Sequence, residues 1–161
     1  HLAAHPDGTR IYSANSWDGT LSCLSTDGVR LAQCVSGGGA HAIDIAPDGR
    51  RIYVANFLDD TLSVFDSRDL RRVCVLPTDP YPHGLDVAPD GSAVAVAAFA
   101  GGTVTLFDAD GQRARVRLPV GAGASHTAFA NGAAFVACSV AGHLAKIDCF
   151  NAAVMARISL H

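Results

Sequence analysis

The chain repeats itself with a period of about 41 residues, and this constrains its fold more than any other feature. His5-Pro6-Asp7-Gly8 returns as Ala46-Pro47-Asp48-Gly49, as Ala88-Pro89-Asp90-Gly91 and as Phe129-Ala130-Asn131-Gly132. The Asp or Asn of each copy stands at 7, 48, 90 and 131, in steps of 41, 42 and 41. An apolar run follows every turn: Ile11 to Asn15, Ile52 to Asn56, Val94 to Ala98 and Phe135 to Ser139. A small polar or glycyl loop then leads to Thr20-Leu21-Ser22-Cys23-Leu24-Ser25 and its counterparts beginning at Thr61, Thr103 and His143.

Each copy reads as four short strands. In the second they are predicted at 41–46, 51–56, 61–66 and 72–76. Pro-Asp-Gly makes a turn because Pro presets φ, Asp bonds its own backbone and Gly accepts a positive φ. The third strand alternates, with Leu62, Val64 and Asp66 on one side and Thr61, Ser63 and Phe65 on the other. The second strand is apolar on both sides, as a sheet packed on both faces requires. Four-stranded units of this period are the blades of a β-propeller. The predicted fold is therefore all-β, a β-propeller of four four-stranded antiparallel blades over about 1–36, 37–78, 79–121 and 122–161. Four blades are expected to belong to a larger ring of about seven or eight, or to pair with a second copy, because an arc leaves apolar faces at its ends.

Composition excludes the alternatives. All 15 acids are Asp, and Lys146 is the only Lys beside 11 Arg, so the usual filling of exposed helix faces is missing. A net charge of −3 argues against a nucleic-acid surface, and no apolar run is long enough to span a membrane. The chain opens on His1 with no basic-then-apolar leader, so either something was removed or it is part of a longer chain. The dipeptide Trp17-Asp18 occurs once, before a third strand, so a WD-type repeat is not expected.

The ten residues Pro82 to Gly91, and Ile52-Tyr53-Val54-Ala55-Asn56 followed by Thr61 to Asp66, resemble the YVTN-type β-propeller repeat. The resemblance covers nearly the whole chain and is weakest in the fourth unit. It implies exported or surface-associated propellers, with binding and scaffold proteins beside relatives of quinoprotein amine dehydrogenase heavy chains and haem-d1 propellers. Lactonase-type propellers share the His-Pro-(Asp/Ser)-Gly pattern at His5. A periplasmic or extracellular setting is implied; the cysteines leave a cytoplasmic one open.

A candidate site follows from blade geometry. Loops opening the first strand and joining the second to the third lie on one face, with the Pro-Asp-Gly turns on the other. His1, His41, His83 and His126 stand near the start of the innermost strands and would ring the channel mouth. Asn15, Asn56 and Ser139 end the second strands at the same rim, and Trp17, Asp18, Phe57, Asp59, Asp60 and Phe99 lie in the loops beyond. The candidate ligand contacts are His41, His83, His126, Asn15, Asn56, Trp17, Phe57, Asp59 and Phe99. Each His could instead close its turn by bonding backbone. Asp44 and Asp86, three residues after their His, read either as channel groups or as hydrogen-bonding links between inner strands. No catalytic set, metal site or cofactor is expected: there is no phosphate loop, nucleophile elbow or Cys-x-x-Cys-His. The five Cys read as buried thiols; Cys23 aligns with Val64 and Leu106, and Cys138 with Ala14, Ala55 and Ala97. Expected partners are a small molecule or a protein. The leading expectation is a non-enzymatic binding or scaffold module; the alternative is a lactonase-like or quinoprotein-dehydrogenase-like enzyme with its site on the His-bearing face.

Overall fold

The computed structural model describes residues 1–108, 110 and 113–160. Sixteen strands form four sheets, each with its strands in sequence order and antiparallel. Blade one is β1 (Leu2–Ala4), β2 (Arg10–Asn15), β3 (Thr20–Ser25) and β4 (Arg30–Val35). Blade two is β5 (Ala40–Ile45), β6 (Arg51–Asn56), β7 (Thr61–Asp66) and β8 (Arg72–Pro77). Blade three is β9 (Pro82–Val87), β10 (Ala93–Ala98), β11 (Thr103–Asp108) and β12 (Ala114–Pro119). Blade four is β13 (Ala124–Ala130), β14 (Ala133–Cys138), β15 (His143–Asp148) and β16 (Ala153–Ser159). No helix among the described residues is long and apolar enough to cross a membrane.

Blades pack face to face through their middle strands. One face of blade two, carrying Ile43, Ile45, Ile52, Val54 and Phe65, meets Tyr12, Ala14, Leu21 and Cys23 of blade one. Its other face, carrying Tyr53, Ala55, Leu62 and Val64, meets Val94, Val96 and Phe107 of blade three. The alternation read in β7 is therefore real, but both of its faces are buried and only Thr61 keeps partial exposure. The inner strands pack in the order β1, β5, β9, β13, and no comparable packing joins β13 to β1 among the described residues. The chain is thus an arc of blades, part of a larger propeller. Phe135 marks its open end. Tyr12 and Tyr53, at the same position of β2 and β6, are fully buried against the following blade, whereas Phe135 is only half-buried under the Lys146 ammonium.

Carboxylates join the inner strands. Asp44 Oδ2 accepts from Val87 N, and Asp86 Oδ2 accepts from Phe129 N, each at 2.8 Å. Blade one has Ala4 at this position and offers no such link. Burial, and secondarily the neighbouring Asp44 charge, push the Asp86 carboxyl up to about 6 against the pull of the Phe129 N–H.

Blade four departs from the sequence register. Cys138 pairs with His143 as Asn56 pairs with Thr61, so Cys138 and not Ser139 ends the second strand. The slip has a local cause. Asn131 (φ 49°) and Gly132 (φ 73°) make a two-residue turn of the type with both central residues left-handed, replacing the longer Pro-Asp-Gly turn. Cys138 and Cys23 are nevertheless buried thiols, and none of the five Cys is in a disulfide.

Two measurements probe this architecture. Phe65→Ala empties a fully buried position between blades one and two and should cost about 3–5 kcal/mol. Phe135→Ala should cost the isolated chain about 1 kcal/mol or less; urea denaturation giving equal losses would contradict the open end. Asp86 holds its proton more tightly folded than unfolded, so its contribution to stability is complete below pH 3.8 and is lost as the pH rises through about 6. Asp86→Asn should remove this dependence, seen as a flatter difference in urea midpoint between these pH values.

Candidate functional site

The loops that open each blade and those joining its second and third strands meet on one face. Phe57 N donates to Gly39 O, Phe99 N to Tyr81 O and Ser139 N to Gly123 O, at 2.8 to 3.1 Å. The Pro-Asp-Gly turns close the other ends of the second strands. The four imidazoles form one contiguous arc: ring centroids lie 4.3 Å apart for His1 and His41, 4.6 Å for His41 and His83, and 5.3 Å for His83 and His126. His83 Nδ1 is 3.0 Å from Ser125 O, so this nitrogen carries the proton and donates. Burial and the neighbouring imidazoles of His83 and His126 depress the His41 pKa, and its Nε2 is buried without a hydrogen-bond partner.

An aromatic patch continues the arc outward. Phe57 meets His41 edge-on at 5.6 Å and lies 4.8 Å from Tyr81. Tyr81, His83 and Phe99 enclose an open cavity of about 420 Å³ with Ala100. A larger groove of about 630 Å³ lies on the opposite face between the turns at Asp48 and Asp90, and another of about 230 Å³ lies in the corresponding crevice between blades three and four. That recurrence makes them the ordinary furrows between blades rather than a site.

The two asparagines do not join the rim chemistry. Asn56 is wholly buried; its amide donates to Thr61 Oγ1 and Ser63 Oγ, and its carbonyl accepts from Ser36 Oγ. Asn15 makes the same two donations to Thr20 and Ser22 and accepts from Ser13. Both pin the second strand to the third, a use that an amide's presence in sequence does not reveal. Trp17 is fully exposed in its loop, and Asp59 Oδ2 accepts from Gly38 N at 2.6 Å.

Tyr81 is the rim residue that a reading by His and Asn positions passes over. It stands at φ 64°, in the place filled by Gly39 (φ 66°) in blade two and Gly123 (φ 73°) in blade four. A bulky residue there is a backbone outlier costing about 1–2 kcal/mol. Leu70 is also left-handed, but it is 5% exposed and its packing offsets the cost, whereas Tyr81 is 40% exposed. Asp60 (φ 54°) fills a second glycine position, that of Gly19, Gly102 and Gly142, and its Oδ1 accepts from Tyr81 N at 2.8 Å. The signal was present in the sequence, as the two places where the repeat loses its glycine. Strain at φ 64° has a direct signature: Tyr81→Gly should be more stable than Tyr81→Ala by about 1 kcal/mol, the reverse of the usual order. Urea denaturation of the two variants measures it.

Among the described residues no three His, Cys or Asp side chains are arranged to hold a metal ion, and the sequence has no Glu to complete one. A blade arc of four-stranded antiparallel sheets with its loops gathered into one ring-lined rim is a β-propeller segment. The family model "Lactonase, 7-bladed beta-propeller" matches residues 1–128, and the chain belongs to that family. No curated protein matches it. Among solved structures, hydrazine synthase of Kuenenia stuttgartiensis is 17% identical with a TM-score of 0.90, covering 100% of this chain and 49% of that one. The WD40 repeats of RRP9 are 12% identical with a TM-score of 0.85, covering 96% of this chain and 49% of that one. U3-55K is 12% identical with a TM-score of 0.86, covering 96% and 50%. The chain spans about half the length of these structures, and at such identities they share its fold alone.

Proposed function

We propose that this chain is a non-enzymatic binding segment, of YVTN-type repeat character, that receives a small molecule or a protein segment on its histidine-bearing rim. One observation carries the reading: an unbroken run of rings, His1 through His126, is flanked by Phe57, Tyr81 and Phe99, and one of these rings sits on a backbone conformation its sister blades give to glycine. Exposed aromatic and imidazole groups converging on a concave surface supply contact area and a few directional polar atoms. Strain kept where packing does not need it is characteristic of sites rather than of scaffolding.

A second reading is favoured by the family match over residues 1–128: hydrolysis of a lactone on the same rim. Attack of water on the ring ester needs a base, and a neutral imidazole, the form favoured at His41, suits that role.

One experiment separates the two. A fragment library is screened by NMR against the full-length protein, and a panel of lactones is assayed for acid release. Binding on the rim should move the His83, Tyr81 and Phe99 ring signals and weaken at least fivefold in His83→Ala and His126→Ala proteins that still fold. Fragments that collect at the Pro-Asp-Gly turns instead would overturn the rim reading. Lactone turnover above background that disappears in the His variants would replace binding with catalysis.

A further inference from the structure

The rim holds one feature that narrows the kind of ligand. Tyr81, His83 and Phe99 form a near-equilateral triangle of rings, with centroids 6.4 Å apart for Tyr81 and His83, 6.3 Å for Tyr81 and Phe99, and 6.1 Å for His83 and Phe99. The Tyr81 and His83 planes are 16° apart, while Phe99 is inclined by 60° and 45° to them and closes the third side. A slot between two parallel rings would suit a flat molecule; a cup closed by an inclined third ring suits a rounded one. A group held about 3 Å above this triangle lies about 5 Å from every centroid, inside the roughly 6 Å range over which a ring face attracts a cation.

The cup itself, lined by Tyr81, His83, Phe99 and Ala100, carries no Lys or Arg, and the unbalanced charge beside it is negative. The Asp60 carboxylate bonds the Tyr81 backbone, and Asp59 lies exposed on the same loop. Asp79 is also near in sequence, but Arg117 at 2.9 Å balances it. With Nδ1 donating to Ser125 O, the neutral form of His83 leaves Nε2 as a lone-pair acceptor. Phe57 packs against the Tyr81 ring, with centroids 4.8 Å apart and planes inclined by 48°. The cup lies on blade three, so blades two and four flank it on both sides within this chain.

Resting on the reading of the rim as a binding face, we propose that the Tyr81–His83–Phe99 cup is a recognition site for a compact organic cation, a methylated or quaternary ammonium group. The rings supply the attraction, Asp60 fixes the loop and adds negative charge beside it, and the unusual backbone of Tyr81 exists to present its ring. Anionic ligands are disfavoured by the same charges, and larger plates by the third ring.

The probes are choline and its uncharged isostere 3,3-dimethylbutan-1-ol, titrated into the full-length protein by NMR. Choline should shift the Tyr81, His83 and Phe99 ring signals saturably and bind at least fivefold more tightly than the alcohol, the ratio expected of about 1 kcal/mol of cation–ring attraction. Phe99→Ala and Tyr81→Gly, the second of which keeps a backbone suited to the fold, should each reduce choline binding at least fivefold. Equal binding of both probes would make the cup merely apolar and overturn the proposal. So would no shift up to about 100 mM choline, or binding indifferent to both substitutions. In those cases fragments still mapping to the rim leave the binding-face reading standing; fragments that avoid the rim remove it as well.

Discussion

Everything in this molecule depends on the sheets of blades two and three being apolar on both faces. A four-stranded blade cannot bury two such faces alone, so its neighbours complete its core. Tyr53 and Phe65, wholly buried on adjacent strands of one sheet, belong to the cores on its two sides, one toward blade three and one toward blade one. This is nearest-neighbour stability of the kind repeat proteins share. Because the blades press together at their middle strands, the loops at one end of the stack are brought together as well. The rim is a by-product of the packing.

The inner strands add direction to that packing. Asp44 reaches across to the backbone of β9 and Asp86 to that of β13, so each carboxylate of one blade satisfies an N–H of the next. These bonds lie below the histidines on the same strands and hold neighbouring inner strands at a common height. The contiguous spacing of His41, His83 and His126 follows from that alignment.

The fold was legible because its information is duplicated. A turn, an apolar run and a Thr-led strand recurring together fix strand order even where one copy is degenerate. The linking role of Asp44 and Asp86 could be read from their common distance to a histidine. What escaped were features that depend on a side chain's partners. Asn15 and Asn56 sit at the rim by position, yet their amides are occupied by the neighbouring strand. The register of blade four slipped because Asn131-Gly132 closes a shorter turn than Pro-Asp-Gly, which an alignment on the shared glycine cannot show. Tyr81 was hidden for another reason: nothing about a tyrosine between two prolines announces a left-handed backbone until it is set beside Gly39 and Gly123.

The pairing of Asp60 with Tyr81 bears on how such a molecule acquires a role. A duplicated unit carries its own unmodified controls in its sister copies, all sharing one chain path. Gly39, Gly123, Gly19, Gly102 and Gly142 show the default state of two loop positions, and Asp60 and Tyr81 are the departures, bonded to each other across neighbouring blades. Tyr81 O accepts from Phe99 N as Gly39 O does from Phe57 N, and Asp60 O accepts from Thr78 N as Gly19 O does from Ser36 N, so the path of the chain is preserved while new side chains project from it. A duplicated architecture can therefore gain chemistry one codon at a time without redesigning its frame. In a chain of copies, the individuality of the protein is written where the copies disagree.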